Sequence, residues 1–120
     1  MSVTYPLFVF EKDDRSMRVI EDSDGILFWH EPIDIENDEY VFWDATGLGV
    51  QIKVSGNKVM SVTSCAAPFP LGEAFATYTE SLGLPRSVLE GQPVQIWKRI
   101  ESEFKSRPKK RGWLSRVFSK

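Results

Sequence analysis

The stretch EYVFWDATGLGVQIKVSGNKVMSVT, residues 39–63, decides the fold of this chain. In its middle, Leu48, Val50, Ile52 and Val54 alternate with Gly49, Gln51, Lys53 and Ser55, the two-residue period of a strand with one face on a core and one in water. Turn formers bracket that strand. Ala45 to Gly47 would reverse the chain after a strand over 39–44, and Gly56 with Asn57 suits a two-residue type II′ turn, because Gly56 takes a positive φ at little steric cost. The stretch therefore reads as two β-hairpins in series, with strands over 39–44, 48–55 and 58–63. In the first of these, Tyr40 and Phe42 share one face and Val41 and Trp43 the other, so both faces need cover.

Upstream, residues 5–12 read as a further strand. Leu7, Phe8, Val9 and Phe10 are apolar on both faces, which places it centrally. Lys12 to Arg15 turn the chain into a short strand over 16–20 with Met17 and Val19 inward, a first hairpin. Residues 21–31 predict a short helix capped by Asp22 or Ser23, carrying Ile26, Leu27 and His30 and ended by Pro32, with Gly25 leaving an extended alternative open. Residues 33–38 then read as a charged loop.

Downstream the period changes. After Pro68 and Pro70 the chain leaves the sheet. Leu71, Phe75, Tyr78, Thr79 and Leu82 recur at helical spacing, with Gly83 just past the end and Pro85 blocking continuation. A helical turn over 86–91 and a helix opening at Pro93 follow, the latter with Ile96, Trp97, Ile100 and Phe104 on one stripe. Strands first and helices afterwards is the pattern of an α+β domain: an antiparallel sheet of about five strands over 5–63 with the C-terminal helices packed on it.

A chain of 120 residues with 42% apolar content and fifteen aromatic rings supports one domain with a real core, here residues 1–106. No run approaches the roughly 18 apolar residues of a membrane span, and residues 1–6 lack the features of a secretory signal, so a cytosolic setting is expected. A single cysteine, Cys65, excludes an intrachain disulfide.

Charge is polarised. Residues 1–44 hold twelve acidic and three basic residues, a net −9; residues 45–84 balance; residues 85–120 hold ten basic and three acidic, a net +7. The last fourteen, residues 107–120, form a basic amphipathic tail with six Lys or Arg and no acid. Lys109, Lys110, Arg111 and Arg116 accompany Trp113 and Phe118 there. Such a tail could lie on an anionic membrane surface, bind nucleic acid through phosphates and stacking, or dock its Trp113, Leu114, Val117 and Phe118 against the domain itself or a second subunit of a homo-oligomer.

Among reactive groups, His30 and Cys65 could form a base and nucleophile with Asp34 or Glu36 orienting, which would make a small hydrolase or transferase with a site near His30. No glycine-rich motif surrounds Cys65, and a small buried thiol beside Ala66 and Ala67 is the plainer reading. Asp34, Glu36, Asp38 and Glu39 invite a divalent cation, yet the turn glycine and bidentate glutamate of a calcium loop are missing, which favours a solvated acidic loop. Gly47 and Gly49 lie in a hairpin and not at a helix start, so they form no nucleotide fingerprint. No cofactor is called for.

The segments LFVFEK (7–12), IDIENDEY (33–40) and FWDATG (42–47), with GWLSRVF (112–118), resemble those of a family of small bacterial proteins of unassigned activity. That resemblance implies a compact bacterial cytosolic domain and transfers no functional residue. By size and charge alone, small acidic α+β domains without catalytic motifs are often inhibitors or immunity proteins that meet basic partners. The expectation is a non-enzymatic protein-interaction module using the acidic face at Asp34, Glu36, Asp38 and Glu39, with the basic aromatic tail as an accessory contact.

Overall fold

The computed structural model describes residues 3–106. Five antiparallel strands, β1 (Leu7–Glu11), β2 (Met17–Ile20), β3 (Tyr40–Trp43), β4 (Gly49–Ser55) and β5 (Lys58–Ser64), form one sheet in the order β2-β1-β3-β4-β5. Helices α1 (Asp24–Trp29) and α2 (Pro32–Glu36) link β2 to β3. After β5 come α3 (Leu71–Leu82), a 3₁₀ turn (Arg86–Leu89) and α4 (Pro93–Ser106). This is an α+β fold, as the segregation of strands and later helices predicts.

The alternation within β1 sends its residues into two separate cores. Phe8 and Phe10 join Met17, Val41, Trp43 and the helical residues Leu71, Phe75, Ile96 and Ile100 on one side. Leu7 and Val9 join Ile20, Ile26, Ile35, Phe42, Val50 and Ile52 on the other. Two covered faces explain why β1 and β3 read as continuous apolar runs. On the first side Phe8 meets Phe75 edge to face with ring centroids 5.4 Å apart, and Trp43 donates its indole N–H to the Phe69 carbonyl at 3.2 Å.

Helix α3 closes as its sequence requires: Gly83 sits at φ +70°, and the N–H groups of Gly83 and Leu84 donate to the carbonyls of Glu80 and Thr79. At the start of α4, the Gln92 N–H donates to Gln95 Oε1 at 3.0 Å, half of a capping box.

Two expectations need correction, and the second hairpin adds an irregularity. Residues 33–36 are not loop but helix, with only Asn37 and Asp38 in the turn beyond: Pro32 opens α2, because its fixed φ and missing N–H suit the first helical position. Leu48 lies outside β4 and is 53% exposed; the turn consumes this position, since the Asp44 N–H donates to the Leu48 carbonyl at 2.8 Å. The second hairpin does not hold one register throughout. Ser55 pairs with Lys58 across Gly56 (φ +60°), but the register shifts between Lys53 and Val54 and leaves Met60 as the extra, exposed residue of β5.

Candidate functional site

The β3–β4 turn is held by one buried carboxylate. Asp44, 3% exposed, accepts hydrogen bonds from the Thr46 hydroxyl (2.6 Å) and from the N–H groups of Thr46 (2.9 Å), Thr4 (3.2 Å) and Leu48 (3.2 Å). Burial alone would raise its pKa; these donors outweigh burial and hold it below the usual aspartate value. Its role is to fix the hairpin.

Beyond that turn the sheet opens. β3 pairs with β1 along its whole length, from Phe8↔Trp43 to Glu11↔Tyr40, whereas β3 and β4 pair only at Trp43↔Gly49 and Phe42↔Val50. From Val50 onward the strands part, and a cleft of about 880 Å³ fills the angle between them. Ile35 of α2, Tyr40, Val54 and Ala67 supply apolar wall, while Lys12, Glu36, Asp38 and Lys53 supply charge. Main-chain direction follows from the ladders. Gly49 accepts from the Cys65 N–H, so Gly49, Gln51 and Lys53 face β5, and Val50 and Ile52 face β3. The peptide groups of Ile52 therefore point toward the cleft.

Two acidic residues, Glu36 and Asp38, line this cleft, and the other acids cluster beside Asp38. Helix α2 ends in a Schellman closure: Asp38 takes φ +59°, its N–H donates to the Ile35 carbonyl at 3.1 Å, and the Glu39 N–H donates to the Asp34 carbonyl at 3.1 Å. The Lys12 N–H donates to the Glu39 carbonyl at 3.0 Å, and Lys12 Nζ reaches Asp38 Oδ2 at 3.1 Å. This clasp brings the β1–β2 turn against α2. Partial burial, then Asp34 and Asp13, raises the Glu39 pKa; burial, then Asp14, with Asp13 and Glu39 adding, raises that of Glu11. Tyr40 is pushed up to about 12 by burial, with Asp34, Glu11 and Glu39 adding. Glu36 lies with Asp38 on the cleft wall, while around the clasp the structure gathers Asp34, Asp38 and Glu39 and adds Glu11, Asp13 and Asp14. Sequence reasoning missed the last three, because only the clasp places them there.

As a cation cage the same residues fail on geometry. Asp34 and Glu36 stand two apart on a helix and point about 160° apart around its axis. Among the described residues no three His, Cys, Asp or Glu side chains converge on a metal-sized site.

His30 and Cys65 stand apart in role. Cys65 is exposed at the cleft rim, not the buried thiol its neighbours suggested. His30, 4% exposed, closes α1 and is not part of the cleft wall. Its Nδ1 donates to the Ile26 carbonyl at 2.9 Å, and its ring meets Tyr40 edge to face at 4.5 Å. Nε2 is buried and has no hydrogen-bond partner among the described residues. Burial lowers the His30 pKa; Arg18 lowers it further, against the Ile26 bond and Asp34. The ring is therefore neutral at pH 7 and wedged under α1.

Two large apolar side chains, Phe28 of α1 and Ile33 of α2, point outward near these acids in sequence. The segment bearing Lys109, Lys110, Arg111, Trp113, Arg116 and Phe118 lies outside the described residues. No helix among the described residues is long and apolar enough to cross a membrane. Comparison with models of known protein families, with curated proteins and with solved structures finds no match, so no relative supplies an activity to transfer.

Proposed function

We propose that this protein is a non-enzymatic interaction module of the inhibitor or immunity type, which meets a basic partner protein through the acidic end of its sheet. The carrying observation is the crowding of Asp34, Asp38, Glu39, Glu11, Asp13 and Asp14 around a single clasp, where neighbouring acids help to raise the pKa of Glu11 and Glu39. Like charges held together by the backbone are relieved when an arginine- or lysine-rich surface arrives, which favours fast, salt-sensitive association. Ile33, exposed between Pro32 and Asp34, supplies an apolar anchor inside the acidic field. The reading includes a bacterial cytoplasm, a reducing setting that suits the exposed thiol of Cys65, and an accessory contact through residues 107–120.

The test is affinity capture from source-cell lysate, with the native chain and with a Glu36→Lys, Asp38→Lys, Glu39→Lys variant as baits. The reading expects one protein of basic pI, bound by the native bait at low salt and lost both with the variant and in high salt. Capture of chaperones alone, or equal capture by both baits, contradicts it.

A further inference from the structure

The sheet opens in its middle, and the main chain around the gap says what fits there. The Lys12 N–H donates to the Glu39 carbonyl, so Glu39, Val41 and Trp43 turn their peptide groups to β1, while Tyr40 and Phe42 turn theirs to β4. Phe42 meets Val50 there. By the same register Tyr40 would meet Ile52, but no such pair forms, and β4 runs on from Gln51 to Ser55 with no strand paired on its β3 side. Donors and acceptors that belong to a ladder therefore face the gap from both walls. Open strand edges of this kind are templates for a further strand.

The lining narrows the choice of strand. Lys12 and Asp38 pair with each other at 3.1 Å, which leaves Glu36 and Lys53, one charge of each sign, so the lining carries no net charge. Toward one face of the sheet the gap is bounded by Ile35 and Val54, and toward the other by Ala67, which belongs to the opposite core. The complementary object is an extended peptide with apolar side chains on both faces and no net charge. The five residues of β4 from Gln51 to Ser55 set its length at about 17 Å.

We propose that the gap between β3 and β4 is a strand-insertion site, which takes an extended segment of a partner protein, about five residues long and without net charge, paired through its main chain to Tyr40 and Ile52. Because β3 and β4 are antiparallel, the inserted strand runs antiparallel to one wall and parallel to the other. A second copy of this chain has no strand to offer from its described residues. Its five strands are already paired, Thr4 is tied to the Asp44 turn, and residues 65–68 are themselves a wall of the gap. The inference goes beyond the acidic-face reading and does not rest on it: main-chain pairing persists in salt that screens a contact between charges.

The probe is a displayed library of random six-residue peptides, selected on the full-length chain in about 0.5 M salt. The proposal expects enrichment of sequences without net charge and rich in β-branched or aromatic residues. Resynthesised with blocked ends, the tightest of them should slow exchange of the Ile52 amide by a factor on the order of ten or more and leave that of Gln51, which faces β5, unchanged. An inserted strand pairs along both of its edges, so each of the peptide's two alternately N-methylated forms should bind more weakly by a factor on the order of ten. Weakening in only one form means a strand added at an outer edge such as β5, and overturns the proposal. Failure to enrich any peptide overturns it as well, as do enriched cationic peptides that shift Asp34 and Glu39 and leave Ile52 untouched. An Ile52 amide already protected in the peptide-free chain also overturns it: protection that grows with protein concentration assigns the gap to a second copy, and protection independent of concentration means that the chain fills or closes it alone.

Discussion

At the scale of single residues, His30 and Gly49 each make a claim that can be checked. His30 is buried neutral with its pKa lowered, so the unfolded chain takes up a proton near pH 6.5 that the folded chain refuses. Stability from this group is intact above about pH 6.5 and falls as the pH drops toward the lowered folded value, with a limiting slope of about 1.4 kcal/mol per pH unit. Urea midpoints measured from pH 8 to pH 5 should fall for the native chain and stay flat over the same window for His30→Leu. Glu11 and Glu39 have raised values and act with the opposite sign, gaining stability as the pH falls, so they do not mimic the histidine. At Gly49, a Cβ would stand 2.6 Å from the Cys65 carbonyl oxygen and 2.8 Å from the Ala67 nitrogen, both main-chain atoms that cannot swing away. Gly49→Ala should therefore cost on the order of 1–3 kcal/mol. Gly72→Ala, whose Cβ would meet open space in the first turn of α3, should be neutral or stabilising by up to about 1 kcal/mol. Equal loss in both variants would remove the packing explanation.

At the scale of elements, α2 is where the acidic face is built. Its C-terminal closure puts Asp38 at φ +59°, a conformation that glycine adopts without penalty. Asp38→Gly removes a carboxylate and an exposed ion pair that contributes little, and should leave the thermal midpoint unchanged or raised, a gain of up to about 1 kcal/mol. The same variant should weaken partner capture. A marked loss of stability would show that the Lys12 clasp matters more than the backbone.

Helix α2 also marks the limit of what the sequence disclosed. The alternation of Val50, Ile52 and Val54, the double-sided runs of β1 and β3, and the Gly83 stop are periodic or conformational signals carried within a few residues, and they read correctly. In residues 33–38 the apolar residues Ile33 and Ile35 are two apart, a loop-like or strand-like spacing, and Pro32 counted only as an end to what preceded it. A five-residue helix has too little length to show its period. Leu48 followed the alternation in sequence, yet Asp44 draws its amide into the turn. The opening between β3 and β4 was not legible at all, because strand pairing and the lodging of Ile35 are tertiary events. Of the candidate site, Asp34, Glu36, Asp38 and Glu39 were identified by charge alone; the grouping of Asp34, Asp38 and Glu39 with Glu11, Asp13 and Asp14 required the clasp.

At the scale of the whole molecule, the fold is a sheet with a separate core on each face, held shut at one end of β3–β4 by Asp44 and open at the other. The acidic clasp and the groove both depend on that opening. Residue-resolved hydrogen exchange, in about 0.5 M salt so that charge contacts are screened, tests it most directly. The account predicts slow exchange at Val50, which pairs with Phe42, and at Gln51 and Lys53, which face β5, with exchange at Ile52 faster by a factor of a hundred or so, on the order of 3 kcal/mol of lost protection. An Ile52 amide protected as strongly as Val50 would mean that β3 and β4 close along their length, and the cleft would not exist.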